Sequence, residues 1–363
     1  MDDFDIVIVG GGIAGASLGA EVAGKRRVLI IEAEDQCGYH ATGRSAAFYL
    51  ESYGGPQVAQ LTAASGQFLE QPPSDFAERG FLHRRGALHI SEGEWPQVPP
   101  GVTARRVDRE ELERMVPGLK PRWLKALLEP GCADIDVAAL HAAFLRQFRG
   151  RGGTVAMRAQ LLRGERKADR WNMTLADGSE ISSSVVVDAA GAWADSVAEA
   201  CGVRRLGIEP KRRTMVQLRV GRSGLKELPL VSDAEERFYF KGEGERSVWL
   251  SPHDEIHTDP CDAAPEEIDI ATAIDRFQSV VDWRVERVER SWAGLRTFAS
   301  DRLPVLGFDA DEPGFFWCAG QGGFGIQTSP AAAKLAASLL LGEEPDPSVA
   351  HIDPRLFSPD RFG

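Results

Sequence analysis

The first thirty residues limit the fold more than any other part of the chain. The apolar run Ile6 to Val9 leads into Gly10, Gly12 and Gly15, a small-residue segment follows to about Ala23, and a second apolar run from Arg27 to Ile31 ends on Glu32. Strand, glycine turn, helix and strand in that order open a parallel α/β sheet. In the G-x-G-x-x-G register each glycine has a steric task. Gly10 permits the tight turn, Gly12 lets a pyrophosphate approach the main chain, and Gly15 lets the helix lie close on the strand. Ile13 and Ala14 begin the helix whose first amides face the phosphates. Glu32, followed by Ala33, lies about twenty residues past the first glycine, where a carboxylate accepts ribose hydroxyls. A ligand-free glycine turn accounts for the turn alone. The terminal acid and the second strand require a Rossmann-like dinucleotide-binding domain.

Three further segments bring small residues together, as close approach of the main chain to an extended ligand requires. They are His40 to Ala47, Ala189 to Trp193 after the run Val185 to Asp188, and Gly320 to Gly325 ahead of a helical stretch. With 363 residues the chain has room for two domains. Its net charge of -12 disfavours nucleic acid and anionic membrane surfaces as partners. Five scattered cysteines without a C-x-x-C pair fit a reducing compartment. The opening Met1-Asp2-Asp3-Phe4 has no basic, apolar leader, and the run Leu335 to Leu341 is too short for an integral membrane segment. A cytoplasmic location is expected.

The chain resembles the D-amino-acid oxidase family of FAD-dependent oxidoreductases over nearly its full length. The resemblance rests on the N-terminal unit, Thr42-Gly43-Arg44-Ser45-Ala46, Ala190-Gly191-Ala192-Trp193, and Gly294-Leu295-Arg296 followed by Asp301, Pro304 and Gly307. Within the family, Gly38-Tyr39-His40 to Tyr53, Pro210 to Arg213, Trp292 to Arg296 and Gln321 to Ser329 are most similar to D-arginine dehydrogenase. The resemblance implies a noncovalent FAD held in a Rossmann-like domain of the glutathione-reductase type, built from residues 1–75, 134–203 and 292–363. Residues 76–133 and 204–291 would form a mainly antiparallel β-sheet substrate domain. Alternation around Thr214 to Val220 and Phe238 to Leu250 agrees with strands there. It further implies cofactor contacts from Gly10, Gly12, Ile13, Ala14, Gly15, Glu32 and Ala33. Others would come from Thr42 to Ala46, Leu161, Ala190, Gly191, Trp193 and Arg296, with Gly322, Gly323, Phe324, Gly325 and Ile326 at the flavin end.

Oxidising an α-amino acid requires the carboxylate to be held so that the Cα hydrogen points at flavin N5, and a guanidinium does this through two parallel hydrogen bonds. The resemblance makes Arg296 the first candidate and Arg213 the second, with Tyr53 and Tyr239 closing the site and Gly323 near substrate. Gly322 and Gly323 would also turn main-chain amides toward the flavin pyrimidine. No general base is evident: Phe48 and Leu50 replace polar residues of the family members that the chain resembles. Ala87 stands where D-arginine dehydrogenase has an acid, so apolar side chains are expected over D-arginine, unless Glu51, Arg84 or Arg85 enters the pocket. His253-Asp254-Glu255-Ile256-His257 has zinc-like spacing, but Pro252 before it and Asp259-Pro260 after it favour an exposed acidic loop, and no metal is expected. Cys318, inside the apolar run Phe315 to Ala319, is expected to pack rather than bind flavin. The expected activity is oxidation of a D-amino acid to the imino acid. Glycine, sarcosine or a 2-hydroxy acid are alternative substrates, and a flavin-binding protein without turnover is the alternative outside enzymology. No residue pattern specifies an electron acceptor.

Overall fold

The computed structural model describes residues 2–363. Strand β1 (Asp2–Val9), helix α1 (Ile13–Val22) and strand β2 (Val28–Ile31) form the βαβ unit at the centre of an eight-stranded sheet. In that sheet β1 pairs in parallel with β2 and with Glu180–Asp188, which in turn pairs in parallel with Phe315–Ala319; Thr154–Ala156 lies beyond β2. Both faces are buried. Ile6 and Ile8 point into a core shared with α1, Val137–Gly150 and Gly325–Leu341, while Val7 and Val9 point into the opposite core with Trp171 and Trp317. This two-residue alternation, apolar on both sides, is what a sheet covered on both faces demands.

The second sheet has nine strands, and all its pairings are antiparallel except that of Ala87–Ser91 with Leu230–Asp233. Leu88, Ile90, Val216, Leu218 and Phe240 face a core closed by Phe277 and Trp283. A small sheet of Phe48–Tyr49, Leu82–Arg84 and Ala133–Ile135 stands apart from both. The longest ladder of the second sheet pairs Glu209–Val220 with Val285–Phe298, from Glu209 opposite Phe298 to Val220 opposite Val285. Val285–Phe298 therefore runs unbroken through the expected domain boundary at 292. Residues 292–298 stay in the second sheet because Glu209 to Met215 continue to supply them with partners.

At Gly15 the packing of α1 on β1 leaves no room for a side chain. A Cβ there would lie 2.0 Å from the Gly10 carbonyl oxygen, a main-chain atom fixed by the turn. Gly10 itself has φ +108° and faces the Ala189 carbonyl. Gly15→Ala is expected to destabilise the protein by ~1 to 3 kcal/mol, the cost of overpacking a site that cannot give. Urea denaturation measures this, and an unchanged midpoint would show that α1 can move away from β1 without cost.

Candidate active site

A cleft of about 430 Å³ runs from the βαβ unit to the second sheet. One end is lined by Gly10, Gly12, Ile13, Ala14, Glu32 and Ala33, and its middle by Thr42, Arg44, Ser45, Ala46, Leu161, Ala190, Gly191 and Trp193. The far end is lined by Arg213, Tyr239, Arg296, Gly322, Gly323, Gly325 and Ile326. Of the residues expected to contact a dinucleotide, Gly15, Gly43 and Phe324 stay outside. Gly15 lies under Gly10, the Gly43 amide bonds the Gly38 carbonyl, and Phe324 packs on Tyr53 and Phe298. The Glu32 carboxylate accepts from the Gly11 and Glu34 amides, which hold it at the cleft wall. Thr42 Oγ accepts from the Ile13 amide at 2.9 Å, tying the middle segment to the start of α1. Arg44 lines the cleft but spends its guanidinium on protein: it bonds the carbonyls of Ala263 and Ala293 and pairs with Asp262. The expectation for Gly322 is corrected, since its amide donates to the Thr297 carbonyl at 2.7 Å and is not free for a ligand. Cys318 lines neither this cleft nor the chamber beside it, and burial pushes its thiol up to about 12.

The far end of the cleft is built on the long ladder. Lys211 stands opposite Arg296 and Gly294 opposite Arg213. Because side chains alternate along a strand, Lys211, Arg213 and Arg296 share one face, and Arg213 and Arg296 are diagonal neighbours. Arg212 points to the other face, where it pairs with Glu266 and Asp269. Gly294 contributes no side chain opposite Arg213. Arg296 Nη1 donates to the Tyr53 hydroxyl at 2.9 Å. Arg213 is 4% exposed; its Nε donates to the Asp254 carbonyl, Glu255 lies 3.4 Å from its Nη2, and its buried Nη1 has no partner among the described residues. Burial, and then the charge of Arg296, pull the Arg213 pKa down. Burial also opposes the charge on Arg296, but the two tyrosines and Glu255 outweigh it and raise its pKa. Arg302 also pairs with Glu255. Three guanidiniums thus face only two carboxylates, Asp254 and Glu255, and one buried donor is unused.

Beside Arg296 and Gly323 a second chamber of about 140 Å³ opens. Phe48, Leu50, Leu230, Tyr53 and Tyr239 form its apolar wall; Ser52, His89, Ser232, Asp233, Glu236 and His253 line the rest. The Tyr239 hydroxyl lies 3.1 Å from Met215 Sδ. Ala87 is fully buried in the apolar cluster behind this wall, and Glu51, Arg84 and Arg85 line neither cavity, being bonded to Tyr49, Glu70 and Asp134 respectively. His253 and His89 were not singled out as site residues. For His89 the signal was the alternation of Ala87–Ser91, which turns Leu88 and Ile90 to one core and His89 to the other face. For His253 the local sequence misled. The expected exposed loop is corrected: the Asp254 side chain is 7% exposed and accepts from the Thr214 amide, and His253 faces the chamber. His257 sits apart on an exposed strand beside Lys211. No cluster of three or more His, Cys, Asp or Glu suited to a metal occurs among the described residues.

The glycine turn, the Glu32 carboxylate at the cleft wall and a cleft ending on buried arginines are features of a dinucleotide-dependent enzyme of the oxidoreductase type. The model of the FAD dependent oxidoreductase (DAO) family matches residues 5–339, and the chain belongs to that family. It is 25% identical over 420 residues to FAD-dependent oxidoreductase domain-containing protein 1 of Bos taurus, covering 99% of this chain and 85% of that one. Among solved structures it is similar to L-proline dehydrogenase from P. horikoshii, with TM-score 0.83, 18% identity and 99% and 98% of the two chains covered. It is also similar to glycine oxidase from Geobacillus kaustophilus, with TM-score 0.82, 21% identity and the same coverage. The cofactor is FAD, and the cleft fits it: a Cβ on Gly10 would strike the Ala189 carbonyl, and one on Gly12 would meet only the Thr42 hydroxyl, leaving the turn open to a ligand. No helix of the described residues is long and apolar enough to cross a membrane.

The purified protein is expected to be yellow and to release FAD, not FMN, on denaturation, because it belongs to an FAD-dependent family and its cleft extends past the flavin end to the glycine turn and Glu32. Chromatography of the supernatant reads this directly. FMN as the released flavin would leave the Glu32 end of the cleft without a purpose.

Proposed function

We propose that the protein oxidises the amine of a small amino acid, a D-amino acid in the first instance, to the imino acid, which water then converts to the 2-oxo acid and ammonia. The observation that carries this reading is the unpartnered, buried Nη1 of Arg213 beside Arg296, in a group with one positive charge in excess. Leaving a buried donor unpaired costs free energy. A substrate carboxylate offers the missing acceptor and the missing negative charge, and a guanidinium holds it in a fixed plane. FAD would be held noncovalently by the turn at Gly10 to Ala14 and by the segments lining the rest of the cleft, and would supply the acceptor for the hydride that leaves Cα. Arg296, Arg213, Tyr53 and Tyr239 orient the carboxylate, and Gly323 leaves space where a Cβ would lie 2.7 Å from the Tyr53 hydroxyl.

The side chain of the substrate enters the chamber beside Arg296. Phe48, Leu50 and Leu230 favour an aliphatic or aromatic group by ~25 cal/mol per Å² of apolar surface buried. The acids there are poor partners for a guanidinium: Asp233 is already paired with Arg237, and Glu236 is exposed. D-Leucine, D-methionine and D-phenylalanine are therefore preferred over D-arginine, although the segments Gly38 to Tyr53, Pro210 to Arg213, Trp292 to Arg296 and Gln321 to Ser329 resemble D-arginine dehydrogenase. The modest volume of the chamber also favours a second reading, oxidation of glycine or sarcosine, which the likeness to a protein named glycine oxidase supports.

Anaerobic mixing of the holoenzyme with these amino acids tests the proposal, since turnover bleaches the oxidised flavin. Arg296→Ala should lower kcat/KM by about thirty-fold to a thousand-fold, or ~2 to 4 kcal/mol, and by more than Arg213→Ala, with FAD retained in both. A flavin that no α-amino acid reduces, or an Arg296→Ala enzyme with normal kinetics, would remove the carboxylate clamp. Reduction by glycine alone would select the second reading.

A further inference from the structure

A free amino acid at neutral pH is an ammonium ion, with no lone pair on nitrogen to form a C=N bond. A proton must leave before the Cα hydrogen can depart as hydride. The carboxylate clamp supplies cations and phenols for this end of the molecule. The remaining groups lining the chamber include His253, whose ring lies 5.9 Å from that of Tyr239 and 6.4 Å from that of Tyr53, in the chamber that also holds Arg296 and Gly323.

The main chain holds His253 there under strain. Its φ is +55°, a left-handed conformation that costs a residue other than glycine. Four contacts, from one helix and two strands, keep it in place. Arg276, on helix Glu267–Val280, bonds the Pro252 carbonyl, and Ser251 Oγ accepts from the His253 amide. On the other side the Thr214 amide donates to Asp254, and Arg213 Nε donates to the Asp254 carbonyl at 2.7 Å. A loop with no task would relax out of the left-handed region; this one is stitched from both sides so that an imidazole faces the chamber. The carboxylates and the other imidazole lining the chamber are paired or exposed. Asp233 is paired with Arg237, His89 with Glu129, and Glu236 is exposed.

We propose that His253 accepts the proton of the substrate ammonium, making it the base of the amine oxidation; this rests on the reading given under Proposed function. An N–H bond of the ammonium breaks, its electron pair stays on nitrogen, and the proton goes to the imidazole. The lone pair then forms the C=N bond as the Cα–H bond breaks, its electron pair passing with the hydrogen to FAD, which is reduced by two electrons. Before substrate binds, the surroundings keep the imidazole neutral. Burial, then the charges of Arg213 and Arg296, hold its pKa down to about 2, with the Glu236 main chain opposing and Arg276 adding to the depression. A carboxylate on the two guanidiniums cancels much of that positive field, so the substrate raises the proton affinity of His253 as it brings the proton. Tyr53 and Tyr239 are the other titratable groups packed against the ring.

The test compares the wild type with His253→Asn, asparagine being tolerant of the left-handed conformation. Rapid-mixing flavin reduction is followed from pH ~6 to ~9 with a substrate that reduces the wild type. With an internal base the proton only moves within the complex, so wild-type kcat/KM for reduction should be flat over this range. The variant must find neutral amine in solution, and its kcat/KM should rise about tenfold per pH unit, starting ~100-fold below wild type near pH ~7. A second readout does not depend on turnover or on the variant's folding. 2-Aminoisobutyrate carries ammonium and carboxylate but no Cα hydrogen, and its addition to ¹⁵N-histidine-labelled wild-type holoenzyme should produce an imidazolium signal. Parallel pH profiles with no imidazolium signal would overturn the role of His253 while leaving the amine oxidation standing. A wild-type flavin that no amino acid reduces would overturn both.

Discussion

Two guanidiniums buried side by side repel each other, and a protein keeps such a pair only when its surroundings compensate. Here the compensation is built from strand register. The ladder between Glu209–Val220 and Val285–Phe298 puts Arg213 and Arg296 on one face as diagonal neighbours, with side-chain-free Gly294 opposite Arg213. The turn after Ser247–Ser251 brings Asp254 and Glu255 against them, and Tyr53 takes one proton of Arg296. What is left over, one positive charge and one donor, is the property that defines the site. A one-residue slip of the ladder would exchange Arg213 for Arg212 and leave Asp269 without its partner. Sheet register and the chemistry of the cleft are therefore one constraint.

The first sheet supplies the other half by simpler means. β1 and β2 are buried on both faces and end side by side, so Gly10 and Glu32 meet at one end of the cleft without long-range help. Thr42 ties the middle segment to α1, and Arg44 ties it to the loop at Ala263 and to Ala293 of the long ladder. Through Arg44, the segment after β2 sets the distance between the cofactor end and the arginine end. This explains why an arginine that lines the cleft contributes no free guanidinium to a ligand.

These two halves differ in how much of them could be read from residues alone. The βαβ unit was legible because its parts are contiguous and each glycine answers a local steric demand; Gly10 and Gly15 pack on each other within a single turn of chain. Arg213 and Arg296 were picked out through resemblance, and their adjacency followed only once the register was known. Gly322 was misread because its amide is taken by Thr297, a partner 25 residues away in sequence but next to it in space. His253 was hidden for the same reason. Proline and acids mark its segment as a surface loop, and Arg276, Thr214 and Arg213, all distant in sequence, pull it inward. The continuity of Val285–Phe298 past residue 292 likewise depends on Glu209 to Met215 and on nothing within the strand itself.

In the proposed reaction the paired arginines hold a carboxylate in front of the flavin. A crystal structure of the holoenzyme with an unreactive carboxylate, such as 2-aminoisobutyrate, tests it most directly. Carboxylate oxygens are expected within ~3 Å of guanidinium nitrogens of Arg296 and Arg213, with the amine toward His253 and the α-carbon over the flavin. A carboxylate bound elsewhere, with Arg213 Nη1 satisfied by the flavin or by protein, would contradict it.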